Sequence, residues 1–148
     1  MAEIQHLVNI DVPPEKVYES IVSEASLQEW WTADVEAEEH EGGEARFGFY
    51  DRSVVYVMQI DKLSPGSEVQ WTCTSGHEWS GTHIRFSLQK DNGGTQLRFW
   101  HSDWREETDY YWSCNTTWGE LMYRLKAVAE GQRPGPLFSR TGLGGFSR

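Results

Sequence analysis

Hydrophobic and polar positions alternate along this chain with two different periods. Ile4, His6, Val8 and Ile10 share one side of a period-two run, the pattern of a half-buried strand. Asp11-Val12-Pro13-Pro14 ends it, and proline near the first helical position predicts a short helix that buries Val17 and Ile21 and stops near Glu24. Ser26 with Glu29 three residues later predicts a capping box for a second short helix presenting Leu27, Trp30 and Trp31. Six alternating or β-branched runs follow, at 35–39, 45–49, 54–63, 69–74, 82–89 and 95–101. They are separated by Gly42-Gly43, Ser64-Pro65-Gly66, Ser75-Gly76 and Asp91-Asn92-Gly93-Gly94, links so short that the strands must run as an antiparallel meander. From about 106 to 130 the period becomes helical, with Cys114, Trp118, Leu121, Leu125 and Val128 on one stripe, and Gly131, Pro134 and Pro136 end it. The expectation is a single domain over 1–138, followed by a small, Gly-rich, flexible tail at 139–148.

Charge changes the picture chiefly by exclusion. The 148 residues carry a formal charge of −10. Residues 1–51 hold thirteen acids and two bases, so the acidity belongs to the N-terminal third, where a solvated strand and hairpin accounts for it. Nucleic acid and anionic membrane surfaces are thereby disfavoured as partners. The longest apolar run, 54–58, is far too short to span a bilayer, and the first residues have neither a basic stretch nor a long apolar stretch, so the expected compartment is the cytoplasm. Cys73 and Cys114 lack C-x-x-C spacing and read as two buried, reduced thiols. His77 and His83 are six apart and match no metal motif, and the segment between them reads as a hairpin loop. No phosphate loop, dinucleotide fingerprint or nucleophile elbow is present, so no cofactor and no metal is expected.

The order of one strand, two short helices, six antiparallel strands and a long helix is that of the α+β helix-grip fold. The stretch from Val8 through Val12-Pro13-Pro14-Glu15-Lys16-Val17-Tyr18 resembles the strand-to-helix entry of the SRPBCC (START-like) superfamily. Four features make it most similar to the family named for activators of the heat-shock-protein-90 ATPase. These are Trp30-Trp31 closing the second helix, Gly42-Gly43 before Phe47 and Phe49, Gly94-Thr95-Gln96-Leu97 leading to His101, and Trp118 with Leu121 and Leu125 on the last helix. The resemblance implies a seven-stranded curved sheet wrapped around the C-terminal helix, with a cavity between them. It also implies a heat-shock chaperone as a partner and a role in stress response.

Twenty aromatic residues, eight of them tryptophan, give that cavity its character. Alternation points Phe47, Phe49, Trp71, Ile84, Phe86, Leu97 and Phe99 inward, toward Trp118. Such rings either fill the interior or line an apolar pocket, and the pattern allows both. The pocket reading names Trp30, Trp31, Phe47, Phe49, Trp71, Phe86, Phe99, His101, Trp118 and His6 as ligand-contacting. Burying about 200 Å² of a flat ligand would gain roughly 5 kcal/mol before association costs. His6 and His101 fall on the inward face of neighbouring strands, where imidazoles orient a ligand, exchange protons or simply sit hydrogen-bonded in the core. Three classes of function follow. The first is a protein that binds a small hydrophobic or aromatic molecule. The second is a chaperone-associated stress protein, and the third a cyclase- or hydrolase-type enzyme using His101 with His6 or Asp103. Tyr110, Tyr111 and Trp112, at the start of the last helix, either cap the cavity or form a contact between copies, so monomer and homodimer both remain open.

Overall fold

In the computed structural model, residues 2–143 are described. The elements are β1 (Ala2–Ile10), α1 (Pro14–Val22), α2 (Glu24–Trp30), β2 (Asp34–Ala37), β3 (Glu44–Phe49), β4 (Val54–Ser64), β5 (Glu68–Ser75), β6 (His83–Asp91), β7 (Gly94–Trp104) and α3 (Asp109–Ala129). The sheet order is β1-β7-β6-β5-β4-β3-β2, with every pair antiparallel. β1 therefore pairs with the last strand, Val8 facing Leu97 and Ile10 facing Thr95, while α1 and α2 carry the chain to β2 at the far edge. Register shifts at Val57/Met58 and Ile60/Lys62 bend β4 against β5, and such bulges help curve a sheet around a helix. The result is the helix-grip arrangement, with Val17, Ile21, Trp118, Leu121 and Leu125 at most 1% exposed on the helix faces turned inward.

Several local expectations are corrected. Ser23, not Ser26, caps α2: its side chain accepts from the Ser26 N–H at 3.3 Å. The sequence offers two serines three apart, and the earlier one wins because its backbone is extended while Ser26 is already helical. α3 starts at Asp109 rather than near 106, because Thr108 caps it, accepting from Tyr111 N–H at 3.3 Å and donating to Glu78 at 2.6 Å. The link between β5 and β6 is more than a loop. It contains a 3₁₀ turn, His77–Trp79, that buries Trp79.

The chain after α3 returns to the sheet. Phe138 N–H donates to Trp31 O at 3.0 Å, and Ala33 N–H donates to Phe138 O at 2.9 Å, so residue 138 runs parallel to the link between α2 and β2. Of the expected tail, Arg140 accepts from Asp51 N–H at 2.6 Å, and Ser139 N–H donates to Gly142 O at 2.7 Å. Residues 144–148 lie outside the described part.

Candidate functional site

At one end of the space between α3 and the sheet the rings fail to meet, leaving a hollow of about 410 Å³. Buried side chains form its floor: Trp31, Tyr56, Trp79, Cys114, Trp118 and Leu121. Its rim is made by Tyr50, His77, Tyr110, Ser113, Phe138 and Leu143, all more exposed, with Phe49, Val54 and Thr117 completing the lining. No Asp, Glu, Lys or Arg is among these lining residues, so the hollow is mostly apolar, with a few hydroxyls and the His77 imidazole at its rim.

Each wall has a local cause. Trp31 closes α2, its N–H donating to Leu27 O at 3.0 Å, and its ring stacks on Phe47 at 4.3 Å and meets Trp118 at 5.0 Å. The 3₁₀ turn aims Trp79 at Tyr56, where the rings stack at 4.0 Å and 10°. Gly76 permits this turn twice over. Its φ of +137° suits glycine, and a Cβ there would overlap Tyr56 Cδ1 and lie 3.0 Å from Tyr56 Cα. Phe138 reaches the hollow edge-on to Phe49 at 5.0 Å.

The rim beside Phe49 is an unusual turn. Tyr50, Asp51 and Arg52 have φ of +52°, +55° and +65°, a left-handed run that costs side-chain-bearing residues about 1 kcal/mol or more each. Arg52 offsets this with a fork onto the buried carboxylate of Asp34, Nε and Nη2 each 2.9 Å from an oxygen. Asp34 fits because Gly48, opposite it in the β2–β3 register, has no Cβ to collide with that carboxylate. Arg140 Nη1 stands 3.8 Å from the same acid, tying the returning segment to this turn.

His101 lies outside the hollow's lining, wholly buried. Thr82 donates to Trp79 O at 2.6 Å, so its oxygen accepts from His101 Nε2–H at 2.8 Å, while His101 Nδ1 accepts from Trp118 Nε1–H at 3.1 Å. Its backbone oxygen accepts from Trp104 Nε1–H at 3.1 Å. One neutral tautomer satisfies everything, and burial, with a smaller contribution from His83, holds the imidazole down at about 3. Both ring nitrogens are engaged, so this side chain has no free lone pair for proton transfer. His6 sits over Phe99 at 6.2 Å between ring centres, against Asn115 and Gly119 of α3. Burial lowers its pKa, hydrogen bonding to Asn115 opposes the shift, and its Nε2 is buried without a partner.

The ten residues named from sequence thus divide. Trp31, Phe49 and Trp118 line the hollow. Trp30, Phe47, Trp71, Phe86, Phe99 and His101 pack in the interior, where Trp30 Nε1–H donates to Ser20 O at 2.9 Å, and His6 borders α3. Strand and helix periodicity does not single out Tyr56, Trp79, Phe138 and Leu143, which also line the hollow. A signal existed for Trp79, a large ring inside a polar link, and for Tyr56, on the inward side of its strand. Cys114 also lines the hollow and accepts from Trp79 Nε1–H at 3.4 Å, and burial pushes its thiol up to about 11, away from nucleophilic thiolate. Cys73 and Cys114 are both buried and unpaired.

The profile of the family described as Activator of Hsp90 ATPase homolog 1-like protein matches residues 11–130. Among solved structures, the chain is similar to the Aha1 dimer from Colwellia psychrerythraea. That likeness has a TM-score of 0.80 and 32% identity, over 88% of this chain and 98% of that one. It is also similar in fold to a protein from Mesorhizobium loti, with a TM-score of 0.78 and 18% identity over 87% of this chain and 97% of that one. DynU16, from the dynemicin biosynthetic locus, gives a TM-score of 0.77 and 16% identity over 93% of this chain and 51% of that one. A search of curated proteins finds no match.

Proposed function

For a chain that belongs to the family of Activator of Hsp90 ATPase homolog 1-like proteins, within the SRPBCC superfamily, we propose the function of binding a small, flat hydrophobic molecule between α3 and the β3–β4 end of the sheet. The observation that carries this reading is the uncharged hollow of about 410 Å³ floored by stacked aromatic rings. Concave, mostly apolar sites with a few hydroxyls are the usual form of small-molecule sites. The saturated hydrogen bonding of His101 favours binding over proton transfer. Among the described residues no helix is long and apolar enough to cross a membrane, and two free buried thiols accord with a reducing cytosol.

The test is native mass spectrometry of the purified protein, followed by tryptophan fluorescence titration with lipids, flavonoids and aromatic polyketides, run in parallel on Thr117→Trp. Binding by the parent and its loss in the plugged variant are expected. Failure of every class, or equal binding by the variant, overturns the reading.

Family membership and the 32% identical Aha1 relative favour a second reading, contact with a heat-shock chaperone. Chaperone ATP turnover, measured with this protein in excess, should rise; an unchanged rate removes activation. The same relative is a dimer, and here Trp112 and Tyr123 stand 65% and 66% exposed, eleven residues or three turns apart on α3, as a surface for a second copy. Light scattering across a concentration series should give a mass rising toward twice 17.1 kDa, and Trp112→Glu should hold it at the monomer.

A further inference from the structure

Among the described residues, two hydrogen-bond donors that border the hollow have no protein partner. The indole N–H groups of Trp30, Trp79, Trp104 and Trp118 each donate within the protein, to Ser20 O, Cys114 Sγ, His101 O and His101 Nδ1. Trp31 is 1% exposed, lines the hollow, and has no hydrogen-bond partner for its Nε1–H among the described residues. Tyr56 is 4% exposed, lines the same hollow, and its hydroxyl is likewise unpartnered. The Trp71 N–H is also unpartnered, but that residue borders a separate depression beside Gln70 and Trp100. Among the described residues only His6 Nε2 is a fully buried side-chain polar atom without a partner, so the Trp31 and Tyr56 donors are not sealed off and stay open to a ligand oxygen.

Position strengthens the case. Trp31 and Tyr56 both contact Trp79 and Phe49, so the two donors belong to one ring cluster and flank one space. Neither ring can easily turn to find another partner. Tyr56 is stacked on Trp79 and met edge-on by Phe49, and Trp31 is stacked between Phe47 and Trp30. Burial raises the Tyr56 phenol far above its ordinary value, so it stays protonated and can donate. With no Lys or Arg in the lining and the one imidazole, His77, exposed at the rim, an ionised carboxylate would reach the floor beside Tyr56 and Trp31 without a fixed counter-charge, at a large desolvation cost.

Resting on the binding reading above, we infer that Tyr56 and Trp31 determine specificity, selecting an uncharged planar aromatic ligand that presents a carbonyl-type oxygen to the Tyr56 O–H and Trp31 Nε1–H. The rings supply the flat apolar contact. The two donors fix which edge of the ligand points inward.

Isothermal titration at pH 7 with three naphthalenes tests this: 2-acetonaphthone, its near-isostere 2-isopropenylnaphthalene without the oxygen, and 2-naphthoate. The parent protein should bind the ketone about tenfold more tightly than the alkene, as expected for one buried hydrogen bond, and naphthoate no better than the alkene. Tyr56→Phe keeps the ring and removes only the hydroxyl. It should cut the ratio of ketone to alkene affinity severalfold. In ¹⁵N–¹H spectra the Trp31 indole resonance, assigned through Trp31→Phe, should move downfield with ketone and not with alkene. Equal binding of ketone and alkene by the parent overturns the inference while leaving the pocket standing. So does a preference untouched in Tyr56→Phe with a still Trp31 resonance, and so does naphthoate binding as well as the ketone. Binding of none of the three overturns the inference, and the pocket reading falls with it when the lipids, flavonoids and polyketides also fail.

Discussion

The two ends of the interior are built from the same kinds of side chain and behave oppositely. The polar atoms of His101 itself are all paired: Thr82, Trp118 and Trp104 form a closed set of hydrogen bonds around it, and Phe86 and Phe99 pack beyond, with His6 Nε2 on the far side of Phe99 left without a partner. Around Tyr56, along the same aromatic cluster, rings stack as closely, but two donors have no protein partner among the described residues and a hollow persists. Trp118 belongs to both, its N–H turned to His101 and its ring to the hollow. Aromatic content therefore does not distinguish a core from a site. The state of the polar atoms among the rings does.

Substitution at the shared residue should break both ends at once. Trp118→Ala removes a fully buried indole and orphans His101 Nδ1, so a loss of about 4 kcal/mol or more in urea unfolding is expected. A loss under 1 kcal/mol would mean that the two ends are not coupled through this ring.

Acid should act on the closed end first. Because the His101 imidazole is held at about 3 in the folded state and titrates near 6.5 when unfolded, its contribution is fully present above pH 6.5. It is lost as pH falls toward 3. Between pH 6.5 and 4.5 this amounts to about 2 kcal/mol, and His6, also depressed by burial, acts in the same direction. Unfolding free energies across that interval should show a shallower slope in His101→Gln than in the parent. Identical slopes would remove His101 as the buried neutral group. Glu68 cannot mimic this, since its carboxyl is lowered to about 2, chiefly by hydrogen bonding from Lys62, and its stabilisation fades only below about pH 4.5.

The open end should tolerate what the closed end does not. Thr117→Trp fills space that is already empty, so its stability should stay within about 1 kcal/mol of the parent while ligand uptake disappears. The smallest effect concerns the rim. Asp34→Asn weakens the fork from Arg52, and hydrogen exchange at the Asp51 N–H, bonded to Arg140 O, should become faster with the global midpoint little changed. Unchanged exchange at that amide would show the returning segment to be held by Phe138 alone.

The fold follows readily from the pattern because alternation and turn residues act locally. The inward sides of β1, β3, β6 and β7 are where the residue order places them, with Val8, Phe47, Phe86 and Phe99 all buried. The site was less accessible for a physical reason. A hollow is a mismatch between distant surfaces, and no local period encodes where two well-patterned faces fail to touch. Periodicity names Phe49 and Phe99 alike as inward, yet only the former lines this hollow. Trp79 escaped because a 3₁₀ turn has neither strand nor helix period, and Phe138 because its place depends on a parallel bridge to Thr32, over a hundred residues earlier.

Gly76 carries a consequence for sorting related chains. Any side chain at that position would displace the Tyr56 ring from its seat on Trp79, so the Tyr56–Gly76 pair acts as a two-position signature of the open hollow. A helix-grip sequence with a larger residue aligned there must place its aromatic ring elsewhere. Inspection of those two columns would separate chains that can hold this pocket from chains that share only its scaffold.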